Sequence, residues 1–150
     1  MVTQPAILLK RLLMPITKNS LYRIIDANFN RAKEGLRVCE DVCRFELNHK
    51  RLTSDLKRLR HQLTDSVWQF SLKRLVSARG IEEDVGKSSI PSEFKRKNLE
   101  DIFYANAQRV KESIRVLEEC AKLLNKDSTR QFKRLRYQMY ALEKKVAKQF

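Results

Sequence analysis

Apolar residues recur every three or four positions in four stretches of the chain, which is the spacing of an amphipathic α-helix. The stretches are Ile25–Leu47, Leu52–Phe70, Phe103–Leu124 and Phe132–Val146. No proline interrupts any of them. The pattern therefore predicts four helices, and residues of the N-capping type mark their expected starts: Ser20, Thr53, Asn98 and Asp127.

Short polar links separate the first predicted helix from the second and the third from the fourth, near residues 48–51 and 125–126. Because short connections join antiparallel neighbours, each pair is expected to form a hairpin. The segment from residue 79 to 97 lacks helical periodicity. The expected fold is all-α: a four-helix bundle of two pseudo-symmetric helical hairpins (residues 20–79 and 98–150), joined by a long crossover loop over residues 80–97. Residues 1–19 are expected to form an N-terminal tail outside this single domain.

The two predicted hairpins repeat each other. Ala27–Glu40 returns 78 residues later as Ala105–Glu118, with Asn, Arg, Lys, Glu, Arg, Val and Glu at matching places. Lys57–Leu63 returns 76 residues later as Lys133–Met139. Two matching blocks in the same order indicate an internal duplication.

Composition agrees with a helical domain that has an anionic partner. The 150 residues contain only three Gly and three Pro, too few for the turns of a sandwich or barrel. Lys and Arg exceed Asp and Glu by 32 to 18, and most of the excess lies on the second helix of each hairpin and in the tail. A net charge of +14 favours nucleic acid, a membrane surface or a phosphorylated small molecule as partner.

The cysteines and the N-terminal residues bear on the expected cellular location. Three cysteines do not form a disulfide framework, so a cytoplasmic location is expected. Cys39 and Cys43 lie on the apolar stripe with no histidine near them in sequence, and we interpret them as buried packing residues rather than metal ligands. The apolar patch before residue 16 is short and broken by Lys10 and Arg11, so no membrane span is expected there.

Polar residues interrupt a second apolar row on the first and third predicted helices. Asn28 and Arg31 do so on one helix, and Asn106 and Arg109 on the other. Each arginine is followed one turn later by a small residue that is expected to open space beside it. A buried Asn or Arg is costly unless it is paired. The functional interpretation is a phosphate-binding pocket between the two helices, and the alternative is an Arg–Glu network that fixes their register.

Acidic residues follow the same arginines. Glu34 and Glu112 lie three residues after them and are placed to orient them. Arg37 and Arg115 are followed at the same spacing by Glu40 and Glu118, and are interpreted first as flanking ion pairs within their own helices.

The crossover resembles a phosphate-binding loop without being one. Five residues, not four, separate Gly80 from Gly86-Lys87-Ser88, and a predicted helix precedes them where the motif requires a strand. We therefore reject a P-loop. Asp84 remains a candidate for holding Mg²⁺, and Arg79 and Lys87 for neutralising phosphate charge. The alternative is a solvated charged turn.

Five blocks along the chain together resemble one known family. They are Tyr22–Asp41, Leu59–His61, Arg79 with Asp84–Gly86, Ala105–Glu119, and Leu135–Tyr137 running into Leu142-Glu143. The sequence resembles the small hydroxymethylpyrimidine-phosphate kinase of thiamine biosynthesis, which occurs alone or as an N-terminal domain of thiamine-phosphate synthase. The resemblance covers roughly residues 20–146, and the stand-alone form is the expectation. Gly80-Ile81 departs from the more polar pair expected there.

The resemblance implies ATP-dependent phosphorylation of 4-amino-5-hydroxymethyl-2-methylpyrimidine phosphate to the diphosphate. It implies ATP and Mg²⁺ as cofactors and a functional link to thiamine-phosphate synthase. On this hypothesis Arg79, Asp84 and Lys87 are catalytic, and Asp84 is the metal ligand. The candidate substrate- and phosphate-binding residues are Asn28, Arg31, Glu34, Arg37, Gly86, Asn106, Arg109, Glu112 and Arg115.

Two other classes of function stay open from sequence. A helical nucleic-acid-binding module would explain the net charge directly, and its binding would weaken steeply with salt. A small mutase or lyase of the chorismate-mutase type would also use an arginine-lined pocket, without ATP or Mg²⁺. Nucleic acid is the less favoured partner, and a homodimer is left open.

Overall fold

The computed structural model describes residues 18–89 and 91–150, and within them the chain is helical and has no strand. The helices are α1 (Lys18–Asp41), α2 (Lys50–Trp68), α3 (Leu72–Ala78), α4 (Leu99–Ala121) and α5 (Lys126–Ala147). A π-helical turn, Val42–Glu46, continues α1, and a 3₁₀ turn, Pro91–Phe94, precedes α4. The all-α class is confirmed. Most of the predicted tail, residues 1–17, lies outside the described residues.

Local capping sets the helix starts. The prediction for α4 is confirmed, because the Asn98 side chain accepts a hydrogen bond from the Asp101 amide at 2.8 Å. The predictions of Thr53 for α2 and Asp127 for α5 are wrong. His49 caps α2 through Nδ1, and Asn125 caps α5 through its side-chain oxygen.

The displaced candidates lie inside their helices for physical reasons. The Thr53 hydroxyl donates to the His49 carbonyl at 2.9 Å, one turn back. Asp127 lies in the first turn of α5, where a negative charge suits the helix dipole. Ser20 lies within α1, which already includes Lys18.

The four long helices surround one core. α1 packs on α2 and α4, and α5 packs on the same two helices. The predicted apolar stripes are buried, except that Leu47 is half-buried and Leu124 is exposed, because it lies in the turn after α4 ends. α3, which was not predicted as a separate helix, packs against α1. The fold is therefore four long helices with a short fifth, and no helix of its described residues is long and apolar enough to cross a membrane.

Gly35 sets the closest approach of α1 to α4. A Cβ atom built on Gly35 would lie 2.8 Å from Val110 Cγ2 and 3.1 Å from the Asn106 carbonyl oxygen. The Cys39 thiol, one turn further along α1, lies 3.7 Å from the Phe103 carbonyl oxygen, so the two helices run antiparallel. The expectation that this small residue opens a pocket is wrong, because the space is filled by the neighbouring helix.

One buried carboxylate joins the two long helices of each hairpin. Glu40 on α1 accepts a hydrogen bond from Arg60 Nε on α2 at 2.9 Å, and Glu118 on α4 accepts one from Arg136 Nε on α5 at 2.8 Å. The two glutamates are 4% and 3% exposed. The hydrogen bond that Arg136 donates to Glu118 raises the pKa of Arg136. These pairs obey the 78- and 76-residue shifts of the sequence repeat, so the two hairpins have the same register.

Removing either carboxylate charge is expected to destabilise the protein strongly. Glu40→Gln or Glu118→Gln leaves an arginine largely buried without a counter-charge, which costs about 3 kcal/mol of unfolding free energy. Urea unfolding followed by circular dichroism measures the change. The control is Asp127→Asn, which removes an exposed partner of Arg130 and is expected to cost less than about 0.5 kcal/mol. Equal small losses in all three variants would contradict a structural role for the buried pairs.

Candidate functional site

A cleft of about 410 Å³ lies between the first half of α1 and the chain that follows α3. Arg23, Ala27 and Arg31 recur at intervals of four on α1 and form one wall. Arg79 and Asp84 line the opposite wall. Three arginines and one exposed aspartate thus surround a single opening.

A buried aspartate fixes one of these arginines. Arg79 Nε and Nη2 donate to the two carboxylate oxygens of Asp26 at 2.7 and 2.8 Å, a bidentate pair. Asp26 is 4% exposed, whereas the Arg79 side chain is 40% exposed. The hydrogen bond to Asp26 raises the pKa of Arg79. The pair ties the end of α3 to α1 and leaves Nη1 of Arg79 without a protein acceptor among the described residues.

Arg23 and Asp26 were not singled out as site residues from sequence. Arg23 Nη2 lies 3.5 Å from the Gly80 carbonyl oxygen and so contacts the start of the crossover. The repeat gave no signal for either residue, because the matching positions in the second hairpin hold Asp101 and Tyr104. Both residues lie in the Tyr22–Asp41 block that resembles the kinase family. That resemblance is the signal in the sequence that could have identified them.

The structure places two of the four predicted pocket residues in the cleft. Arg31 is exposed there and has no carboxylate partner among the described residues. Asn28 is buried beside it, and its Nδ2 donates to the Ile24 carbonyl of the same helix at 2.9 Å. Asn106 makes the equivalent bond within α4, at 2.8 Å. A local helix contact therefore accounts for the repeated asparagine without a ligand.

Asn106 and Arg109 do not line the cleft. Because α1 and α4 are antiparallel, Asn106 lies against Gly35 rather than against its own counterpart. This cleft therefore differs from the predicted pocket between the first and third helices, since its second wall is the crossover. A binding role for Asn106 and Arg109 stays a prediction.

The other candidate residues of the repeat, two glutamates and two arginines, do not line the cleft. Glu34 and Glu112 are exposed, and within the described part of the chain neither pairs with Arg31 or Arg109. Arg37 pairs with Glu40 at 3.8 Å, and Arg115 pairs with Glu118 at 3.1 Å. Each pair lies within one helix, as expected for flanking ion pairs. The Arg–Glu network considered as an alternative therefore exists, but through other residues than Arg31 and Arg109.

The crossover brings one predicted catalytic residue to the cleft. Asp84 lines it, and its Oδ1 accepts a hydrogen bond from the Gly86 amide at 2.9 Å. Lys87 is exposed and is not among the lining residues. Gly86 has no positive φ, and a Cβ there would meet only Asp84 Oδ1, at 3.4 Å, so the turn does not require glycine. Among the described residues, the 3₁₀ turn Pro91–Phe94 comes next, and the following α-helix begins only at Leu99.

The described residues contain no group of three or more His, Cys, Asp or Glu side chains placed to hold a metal ion. Mg²⁺, however, usually keeps several waters and binds one or two carboxylates together with substrate phosphates. A single exposed aspartate facing three arginines fits a Mg²⁺–phosphate complex and does not fit a metal ion held by protein ligands alone.

Residues 23–145 match the ThiD2 family. The chain belongs to the ThiD2 family. The family expected from the sequence motifs is thereby confirmed, and it connects the chain with thiamine biosynthesis. No solved structure shows a significant match.

Curated relatives of this ThiD2 chain are larger proteins. Thiamine-phosphate synthase of Nostoc punctiforme is 41% identical over 124 residues, which is 82% of this chain and 34% of that protein. The Synechocystis enzyme of the same name is 41% identical over 125 residues, covering 83% and 35%. That of Rhodopirellula baltica is 37% identical over 133 residues, covering 85% and 36%. The chain thus spans about a third of the length of these relatives.

The cysteines lie outside the cleft. Cys39 and Cys43 are fully buried, as predicted, and Cys120 is half-buried. Burial raises the pKa of all three thiols, that of Cys43 to about 11. Since the thiolate is the nucleophile and the metal ligand, buried thiols with raised pKa values act as packing residues.

Alkylation tests this assignment. At pH 8 only about 0.1% of a thiol with the pKa of Cys43 is ionised, so iodoacetamide is expected to label Cys120 first. Cys39 and Cys43 are expected to react only after unfolding in guanidinium chloride. Peptide mass spectrometry of native and denatured samples measures each site. Native labelling of Cys43 as fast as that of Cys120 would contradict the buried packing role.

Proposed function

We propose that this ThiD2 protein transfers the γ-phosphoryl group of ATP to 4-amino-5-hydroxymethyl-2-methylpyrimidine phosphate, giving ADP and the diphosphate. The observation that supports the proposal is the cleft in which Arg23, Arg31 and Arg79 face Asp84. Family membership and the relatives named thiamine-phosphate synthase support the substrate class, because both concern thiamine biosynthesis.

The cleft suits two phosphate groups that must approach each other. Guanidinium groups donate two parallel hydrogen bonds to phosphate and stay charged at any physiological pH. Arg31 has no protein counter-charge in the described structure, and Arg79 keeps Nη1 unbound after pairing with Asp26. Both are therefore available to offset the repulsion between the donor and acceptor phosphates.

The reaction requires little proton chemistry. An oxygen of the acceptor monophosphate attacks the γ-phosphorus of ATP, and the bond from that phosphorus to the β–γ bridging oxygen breaks, leaving ADP. Because the attacking phosphate oxygen is already anionic, no general base is needed. Phosphoryl transfer then depends chiefly on positioning and charge stabilisation. This agrees with a cleft whose described lining holds two carboxylates, Asp26, which is paired with Arg79, and Asp84, which is exposed.

Asp84 would hold Mg²⁺ together with the phosphates of ATP, and the ion would supply further neutralisation of the transferring group. Lys87 lies three residues after Asp84 and is exposed. It would add a second positive charge to the same turn. The net charge of +14 concentrates anionic substrates around the protein without itself selecting them.

The proposed activity can be tested directly by turnover. With ATP, Mg²⁺ and the pyrimidine monophosphate, the protein is expected to produce ADP and the diphosphate, resolved by liquid chromatography. Arg31→Ala and Asp84→Ala are each expected to lower kcat/KM about 100-fold, as removal of a group that stabilises transition-state charge does. Arg130→Ala is the matched control, because it removes an exposed arginine of α5. Absence of product from folded protein, or full activity in both cleft variants, would contradict the proposal.

The activity of an Arg109→Ala variant shows whether the binding site extends beyond the cleft. The sequence repeat assigns Arg109 the same role as Arg31, whereas the cleft contains only Arg31. A loss in Arg109→Ala as large as that in Arg31→Ala would show that the binding site extends onto α4.

The pairing of Asp26 with Arg79 makes Asp26 a positioning residue in the proposed reaction. Asp26→Asn and Arg79→Ala are each expected to lower kcat by about tenfold or more, and the double variant no further than the larger single effect. Steady-state kinetics of the four proteins measures this coupling. If the two losses multiply, Asp26 acts independently of Arg79 and the positioning role is contradicted.

A further inference from the structure

An apolar slot of about 240 Å³ lies where α1, α2 and α3 meet. None of its lining residues lines the arginine cleft. Phe29 is buried, while Trp68 and Leu72 are 70% and 55% exposed at the opening. The complete lining is Phe29, Lys33, Thr64, Val67, Trp68 and Leu72.

Lys33 is the charged member of this lining. Its Nζ lies 5.4 Å from the centroid of the Phe29 ring, and it has no carboxylate partner among the described residues. The Thr64 hydroxyl donates to the Arg60 carbonyl of its own helix at 3.0 Å. The slot therefore combines an aromatic and aliphatic wall with one unpaired ammonium group.

The equivalent lysine of the second hairpin has a carboxylate partner. Lys111 is the repeat counterpart of the slot lysine, and its Nζ lies 2.7 Å from Glu143 Oε2 and 5.1 Å from the Tyr140 ring centroid. The 76-residue shift of the repeat matches Tyr140 with Thr64 and Glu143 with Val67. Phe29, whose repeat counterpart is Ala107, lies over Lys33 as Tyr140 lies over Lys111. The group that the first hairpin lacks is therefore the carboxylate, because Val67 stands where the second hairpin has Glu143.

We propose that this slot binds a small aromatic or heteroaromatic anion, with its ring against Phe29 and Trp68 and its anionic group against Lys33. The anionic group of such a ligand pairs with Lys33 as Glu143 pairs with Lys111 in the other hairpin, while its ring packs on the side chains that line the slot. Since a cavity of about 150 Å³ admits benzene, a slot of 240 Å³ accommodates one substituted ring and is too small for a nucleotide. Residues 1–17 contain no aromatic and no acidic residue, so they do not provide this pair of groups.

The proposal does not depend on the kinase activity, and binding is measured without ATP. Trp68 is the only tryptophan of the chain, so its fluorescence reports on this slot. Phenyl phosphate is the probe, with benzyl alcohol as the uncharged ring and inorganic phosphate as the anion without a ring. We expect a saturable change in Trp68 emission with phenyl phosphate, affinity at least about tenfold lower for benzyl alcohol, and no change with phosphate alone.

Variants that copy the second hairpin give the sharper test. Thr64→Tyr combined with Val67→Glu is expected to fill the slot and abolish phenyl phosphate binding, checked in parallel by isothermal titration calorimetry. Lys33→Met keeps the length of the side chain and is expected to weaken binding about tenfold. Lys57→Met is the matched control, because Lys57 is exposed on α2 outside the slot.

Three results would overturn the proposal. One is an unchanged Trp68 signal at saturating phenyl phosphate. Another is equal binding by the wild-type protein and by both Lys33→Met and the Thr64→Tyr, Val67→Glu variant. The third is loss of phenyl phosphate binding in Arg31→Ala, which would show that the probe binds in the arginine cleft instead.

Discussion

The buried ion pairs Glu40–Arg60 and Glu118–Arg136 are the interaction on which the rest of this structure depends. Each one joins the two long helices of a hairpin through a glutamate that is almost fully buried, at 2.9 and 2.8 Å. A carboxylate in that position is costly unless it is matched, so a slip of either helix by one turn would leave two buried charges unpaired. The pairs thereby specify one register, and that register decides which residues of α1 reach the cleft and which face α4.

The functional features arise where the two hairpins differ. After α2 the chain adds α3 and the crossover, which pack against α1 through the Asp26–Arg79 pair and create the cleft. In the second hairpin, Tyr104 stands in place of Asp26 and packs with Phe103 and Phe150. The two repeated hairpins therefore differ in their surfaces. Both the cleft and the apolar slot are lined by residues of the first hairpin, α3 and the crossover.

Net charge has a limited role in this arrangement. Each predicted pocket helix is almost neutral, while the second helix of each hairpin has most of the excess positive charge. Part of that excess is used inside the protein, because Arg60 and Arg136 pair with the buried glutamates. The remaining surface charge attracts anions in general. Selection among them requires the few arginines whose neighbours the fold has fixed.

The sequence by itself determined the all-α class, the apolar stripes and the burial of Cys39 and Cys43, since these depend on periodicity and composition. Its repeated and family-like motifs determined the duplication and the family. The sequence also singled out Asn28, Arg31, Arg79 and Asp84 as candidate site residues, and the structure places these four on the cleft. Only the tertiary structure separated Asn106 and Arg109 from them and added Arg23 and Asp26. The physical reason is that the repeat records similarity along the chain, whereas the antiparallel packing of α1 on α4 and the docking of α3 decide which side chains meet.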